Sequence, residues 1–246
     1  MPVIYIISDL HLSHSKPKLT SAFENFSNHL PCGSRLIIAG DFFDFFIGIC
    51  KKDPLIQRIK LCLHNLRKRN VAVDFLRGNR DFLVNKRDAA FFEMKLLPEC
   101  CVLETPQGKA LLIHGDLLCT NDKSFVKFRK IAHNMLARLT FRALPYRLRL
   151  YIGQKIRQTS YEKDASRTLS PSYYGAVSEE ATKLLTAYDC KILIHGHFHI
   201  FEKKYDEYFK GSVRLGLGAW GETLSFVKID DKNVFLCEKP PVSKRS

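Results

Sequence analysis

The sequence predicts an α/β protein, a parallel sheet flanked by helices, with a helical insertion. Three observations carry this. Strand-like and helix-like segments alternate through the first third of the chain. Short motifs of Asp, Asn, His and Gly each stand just past a predicted strand. One basic, apolar-rich helical stretch then breaks the rhythm.

The elements follow in order. Val3–Ser8 is a strand-length apolar run. Pro17–Leu30 carries Leu19, Phe23, Phe26 and Leu30 at spacings of three and four, which is one face of a helix. Arg35–Ala39 reads as a second strand, Leu55–Arg69 as an amphipathic helix and Val71–Arg77 as a third strand. A second group of strands is predicted at Lys109–His114, Lys191–His195, Ser212–Gly218 and Leu224–Ile229. The stretch from Asp122 to Ser170 is helical in pattern and holds 12 Lys/Arg against 3 Asp/Glu. The expected organisation is a core of residues 1–121 and 171–238, a helical cap at 122–170 and a frayed basic tail at 239–246.

The chain of 246 residues fits one domain with an insertion, and 46% hydrophobic residues can bury a core without disulfides. Its eight cysteines form no CxxC pair, and most sit in apolar runs, so a reducing compartment is expected. No signal-peptide pattern opens the sequence, and no apolar run reaches the roughly 18 residues that a membrane span needs. A soluble protein, or one resting on a membrane without crossing it, is expected. The net charge of +14 calls for an anionic partner, and +9 of it falls in the predicted cap.

Five motifs carry the chemistry: Asp9-Leu10-His11, Gly40-Asp41 with Asp44, Gly78-Asn79-Arg80-Asp81, His114-Gly115-Asp116 and His195-Gly196-His197. Ligands of open α/β sheets bind beyond the carboxyl ends of strands, where these motifs fall. Carboxylate, amide oxygen and imidazole suit a pair of hard or borderline divalent cations. Residues i and i+2 of an extended chain face the same way, so Asp9 with His11, and His195 with His197, can each reach one ion. Any single motif occurs by chance, and a lone buried histidine is usually a satisfied core residue. The ordered set is what points to a site.

That set resembles the calcineurin-like metallophosphoesterase superfamily, whose pattern is DxH, GDxxD, GNH[DE], a later His and GHxH. The resemblance implies an αββα sandwich, two sheets flanked by helices, with the cap inserted. Arg80 stands where most of the superfamily has a histidine often assigned as general acid. A phosphate leaving group needs no such acid, and Arg80 would then clamp a phosphoryl oxygen. The runs Gly78–Leu83, His114–Thr120, Ala143–Pro145 and Leu217–Trp220 narrow the likeness to the UDP-2,3-diacylglucosamine pyrophosphatase family of lipid A biosynthesis.

What that resemblance implies is specific. The substrate would be UDP-2,3-diacylglucosamine, cleaved to UMP and 2,3-diacylglucosamine 1-phosphate at the cytoplasmic face of the bacterial inner membrane, by a peripheral protein expected to be a monomer. A manganese pair would be held by Asp9, His11, Asp41 and His197 at one position and by Asp41, Asn79, His114 and His195 at the other. Asn79, Arg80, Asp41 and His195 would be the catalytic set. Substrate contacts would fall on Asn79, Arg80, Asp122, Ser160, Asp164, Arg167 and His195, with Arg167 where many members carry lysine. Asp81 and Asp116 are expected to orient ligands, and Asp44 either does so or caps a turn. The cap would line a tunnel for acyl chains and meet anionic headgroups. Two alternatives stand beside this: a nuclease or phosphodiesterase of the same superfamily, and a non-catalytic scaffold. Basic residues interleaved with bulky aliphatics rather than stacking aromatics give no expectation of nucleic acid.

Overall fold

The computed structural model describes residues 2–165 and 177–240, and the side chains of residues 160–165 lie outside that description. Eleven described strands build two sheets. The first contains β1 (Ile4–Ile7), β2 (Arg35–Ala39), β3 (Ala72–Leu76), β4 (Lys95–Leu96), β10 (Leu224–Ile229) and β11 (Val234–Lys239), in the order β11-β10-β1-β2-β3-β4. Strands β1 to β4 are parallel, and β10 and β11 join antiparallel. The second contains β5 (Cys101–Thr105), β6 (Gly108–Leu112), β7 (Ile192–His195), β8 (Glu202–Tyr205) and β9 (Val213–Gly216), in the order β5-β6-β7-β9-β8. Here β6, β7 and β9 run parallel between antiparallel edges.

The sheets face each other across an apolar layer. Ile4, Ile6, Ile37 and Val227 of the first meet Ala110, Leu112, Ile192, Ile194 and Leu215 of the second. The outer face of the first sheet, with Ile7, Leu36, Ile38, Val73 and Phe75, packs on α1 (Pro17–Asn28) and α2 (Pro54–Lys68) through Phe23, Ile56, Ile59, Leu63 and Leu66. The outer face of the second, with Leu111 and Leu193, packs on Ala181 and Leu185 of the helix Ser178–Ala187. Strand residues alternate between the two layers, as a pleat buried on both faces requires.

Two sheets flanked by helices are the αββα sandwich that the resemblance implies, and they refine the single parallel sheet read from strand order. Leu224–Ile229, grouped by its place in the sequence with the later strands, pairs antiparallel with β1 in register Ile4↔Ile229. Strand β4 has two residues and β8 is polar, so period-two alternation does not reveal them; β5 and β11 also lie outside the predicted strands. The same holds for α3 (Lys86–Phe91), six residues long and fixed at its start by an Asn85–Asp88 capping box.

Three helices follow β6 and a single 3-10 turn at Asp116–Leu118: α4 (Lys123–His133), α5 (Met135–Ala143) and α6 (Tyr146–Ala165); the helix Ser178–Ala187 is then α7. They cover the loops at the carboxyl end of the first sheet. Phe128 stacks edge-on against Phe82 with centroids 5.9 Å apart. Arg142 forks onto Asp88 at 2.6 and 3.1 Å, and Arg149 donates to Ile47 O at 2.5 Å. No described helix is long and apolar enough to cross a membrane.

Candidate metal centre

The polar motifs leave the carboxyl ends of β1, β2, β3, β6 and β7 and converge on Asp41. Asp9, Asp41 and His114 each offer an atom within 4.8 Å of the others, and all three are buried. A second cluster of that tightness joins Asp9, His11 and His199. His11 Nε2 lies 3.1 Å from His199 Nε2, and His199 Nε2 lies 3.3 Å from Asp9 Oδ1. On the other side, Asn79 Oδ1 faces His114 Nε2 at 3.1 Å and His197 Nδ1 at 2.9 Å, and His114 Nε2 lies 3.5 Å from Asp41 Oδ1.

Backbone conformation aims these groups. Asp9, His11, Asp41, His197 and His199 all have positive φ, between 48° and 68°. Left-handed backbone costs a non-glycine residue about 1–2 kcal/mol, and such strain persists only where the surroundings over-determine it. The sequence expectation that Asp9 and His11 sit on extended chain is therefore revised, because each is turned by its own left-handed residue. Close approach sets the glycines. A Cβ on Gly78 would collide with the Asp41 carboxylate, and one on Gly196 with Asp9 and Ser8.

His195 does not join the cluster, contrary to expectation. It ends β7 on the face of Leu193, which packs outward towards α7. Its Nδ1 bonds Gly196 O at 2.9 Å, its Nε2 is buried without a partner, and its ring packs on Phe198. His199 stands in its place. The sequence carries that signal, since a GHxH pattern read literally spans Gly196–His199. Of the two i, i+2 histidine pairs, the second, His197 with His199, carries the left-handed backbone that turns its rings to the cluster.

Electrostatics suit cations. Burial pushes Asp9 up, but the approach of His199 and the charges of His114 and His11 outweigh it and hold its carboxyl below the usual range. Asp41 is raised by burial. Burial would depress His114, but the carboxylates of Asp41, Asp9 and Asp116 overcome it and push it to about 9, so this pocket draws positive charge. Burial, with help from Arg80, lowers His11 to about 2; burial and His114 lower His197 to about 3. Both are neutral near pH 7, as metal ligation requires. Asp9 Oδ1 and His11 Nδ1 are buried without a well-directed hydrogen bond. Orphaned buried acceptors cost free energy unless a cation or donor meets them, so the donor set fits divalent metal.

The supporting groups are also in view. His114 Nδ1 bonds Ala39 O at 2.9 Å, which directs Nε2 at the site. Asp81 accepts from Gly78 N at 2.7 Å and Phe42 N at 2.8 Å, stapling the β2 and β3 ends together. Asp116 accepts from Arg129 Nε at 2.8 Å. Arg80 Nε lies 3.2 Å from Asp41 Oδ2. Ser8 Oγ donates to Asp9 Oδ2 at 2.7 Å, and Cys119 Sγ lies 3.3 Å from His197 Nε2; sequence reasoning gave neither a role, for spacing alone does not bring them to these partners. Asp122 caps α4, accepting from Ser124 N and Phe125 N at 3.0 Å each. The side chains of Ser160 and Asp164 and the whole of Arg167 lie outside the described residues.

Comparison with known proteins identifies the family. Residues 2–201 match the family model for calcineurin-like phosphoesterases. The chain is similar to the UDP-2,3-diacylglucosamine hydrolase of Actinobacillus succinogenes, 36% identical over 94% of this chain and 97% of that one. It is 34% identical to that of Haemophilus influenzae over 94% and 96%, and 37% identical to that of Pectobacterium carotovorum over 95% and 98%.

Proposed function

The chain belongs to the calcineurin-like phosphoesterase family, and from that premise we propose that it hydrolyses the pyrophosphate bond of UDP-2,3-diacylglucosamine to UMP and 2,3-diacylglucosamine 1-phosphate, a step of lipid A biosynthesis. Two divalent cations, with manganese the first candidate, would be held by Asp9, His11, Asp41 and His199 at one position and by Asp41, Asn79, His114 and His197 at the other. The convergence of these side chains on buried Asp41 is the observation that supports the reading. When bound, such cations polarise phosphoryl oxygens and lower the pKa of water.

The chain's own residues do the rest. His114, tied through Nδ1 to Ala39 O, presents Nε2 in one orientation. Arg80, whose Nε leans on Asp41, carries fixed positive charge at the rim to neutralise charge growing on a phosphoryl oxygen. The leaving phosphate has a low pKa and departs without a general acid, so an arginine at this position is no handicap. Phe125 stacks against His197 with centroids 5.4 Å apart and keeps bulk water from that side.

The cap supports a lipid role. Ile131, Met135, Leu136 and Leu139 are 59–75% exposed along α4 and α5, beside exposed Lys127 and Lys130. An apolar strip with lysines on its flank suits an anionic bilayer surface, and it supports a peripheral position at the cytoplasmic face of the inner membrane. The cap arginines Arg129, Arg138, Arg142, Arg149 and Arg157 are engaged by carboxylates or carbonyls of the core, which weakens a nucleic-acid reading of the charge.

The test is UMP release from UDP-2,3-diacylglucosamine with manganese added, and its loss in Asn79→Ala. Cleavage of a nucleic acid or of bis(p-nitrophenyl) phosphate, with the sugar nucleotide left intact, would overturn the substrate assignment.

A further inference from the structure

The loop after β2 and the longest cap helix meet at Asp44. Its Oδ1 accepts from Arg80 Nη1 at 3.2 Å and from Arg157 Nη2 at 2.6 Å, and its Oδ2 from Arg157 Nε at 2.8 Å. Arg80 also reaches Asp41, through Nε to Oδ2 at 3.2 Å and through its backbone N to Oδ1 at 2.9 Å. Asp41, Arg80, Asp44 and Arg157 therefore form one line of alternating charge from the metal centre to α6. The Arg80, Asp44 and Arg157 side chains are only 12–17% exposed, so water screens them weakly.

The contact is organised along one face of α6. Arg149, Gly153 and Arg157 are spaced by four residues, so they fall on one stripe. Arg149 donates to Ile47 O, Gly153 lies so close beneath Phe45 that a Cβ would sit 2.7 Å from the ring, and Arg157 forks onto Asp44. The stripe reads the loop backwards, from Ile47 to Phe45 to Asp44. A guanidinium is planar with its donors in a fixed fork. Holding Nε on Asp41 and Nη1 on Asp44 fixes the plane of Arg80, while its Nη2 edge takes no part in these contacts.

We propose that Asp44 is a positioning residue that couples the seating of the cap helix to the orientation of Arg80. The inference rests on the reading of Arg80 as the phosphoryl clamp. Asp44 is an anion shared by the two guanidiniums. Without it, two like charges face each other at short range and drift apart. Arg157, on the cap, thus acts on Arg80 through Asp44.

The experiment compares Asp44→Asn, Asp44→Glu, Arg157→Met and the double variant Asp44→Asn/Arg157→Met in the full chain. On UDP-2,3-diacylglucosamine with manganese, each of Asp44→Asn and Arg157→Met should lower kcat about 10- to 100-fold, the cost of a slightly misplaced group, with KM changed only a few-fold. The double variant should be no slower than the worse single one, and Asp44→Glu should recover most of kcat. Amide hydrogen exchange supplies a readout that needs no substrate: Arg157→Met should raise exchange in residues 78–82 as well as in α6. Unchanged exchange at 78–82, multiplicative kcat losses, or an effect confined to KM would overturn the coupling. A wild-type chain that leaves the sugar nucleotide intact would overturn the functional reading, while the exchange result still decides the coupling. If Asp44→Asn does not fold, Arg157→Met and Asp44→Glu carry the same comparison.

Discussion

The strand ends and the cap hold charged side chains in opposite ways. At the strand ends, carboxylates and imidazoles face one another inside a buried pocket, and left-handed backbone at Asp9, His11, Asp41, His197 and His199 aims them. In the cap, helices present ordinary faces, and arginines reach out to the core: Arg129 to Asp116, Arg142 to Asp88, Arg157 to Asp44. Charge in the first region is held together by the backbone for chemistry. Charge in the second is held by long side chains for attachment. A substitution at the strand ends should therefore remove activity and leave the fold, whereas one under the cap should loosen a contact and leave the chemistry partly working.

The largest effect expected is at Asp41, the carboxylate common to both proposed cation positions. Asp41→Ala should lower kcat at least about 10³-fold, as loss of a central electrostatic group does. Manganese content measured by elemental analysis should fall with it, while the circular dichroism spectrum stays that of the wild type. Retained metal with lost activity would mean that Asp41 acts on substrate and not on the cations.

Next comes the contrast between two histidines four residues apart. His199→Ala should lose about 100-fold in activity and metal affinity, whereas His195→Ala, which changes a ring behind the sheet, should lose less than about 10-fold. The opposite ranking would restore the pairing first read from the sequence. That pairing shows where sequence reasoning stops. The ordered motifs marked the strand ends whose side chains converge on Asp41, because each motif follows an apolar run of unmistakable length. They could not tell which of His195, His197 and His199 turns inward, because that depends on where β7 ends and left-handed turns begin. In β7, Leu193 and His195 share the outward face; from His197 onwards the strand rule no longer applies. The cap was legible as basic and helical, yet its charge read as a surface for anionic headgroups. The partners of its arginines, Asp88, Glu99 and Asp116, lie up to 54 residues away in sequence, and no local pattern records that pairing.

The apolar strip of the cap tests the other half of the comparison. Replacing Ile131, Met135 and Leu136 together by Ser should cut binding to vesicles containing anionic phospholipid about tenfold or more, since even partial burial of three such side chains contributes well over 1 kcal/mol. Turnover of detergent-dispersed substrate and the melting temperature should hardly change, because the strip is exposed. Unaltered vesicle binding would assign membrane attachment to the lysines alone or to another surface.

The smallest effect expected concerns how α4 is fastened. Glu99 receives His133 and Arg129 from α4, with Arg129 Nη2 3.1 Å away. The hydrogen bond from His133, reinforced by the charges of His133 and Arg129, outweighs burial and lowers Glu99 from 4.5 to about 2. A carboxyl depressed on folding stabilises the native state fully above its unfolded value, and that contribution fades as pH falls from about 4.5 towards 2. Because the Glu99 side chain is 39% exposed, screening reduces the gain to about 1 kcal/mol. Glu99→Gln should then melt about 2–4 °C below the wild type at pH 7, with the two curves converging as the pH approaches 2. Melting temperatures of both proteins at pH 7, 4 and 2.5 make the comparison. A constant gap across that range would mean that Glu99 serves by packing and hydrogen bonding alone, so that the cap is fastened by shape more than by charge.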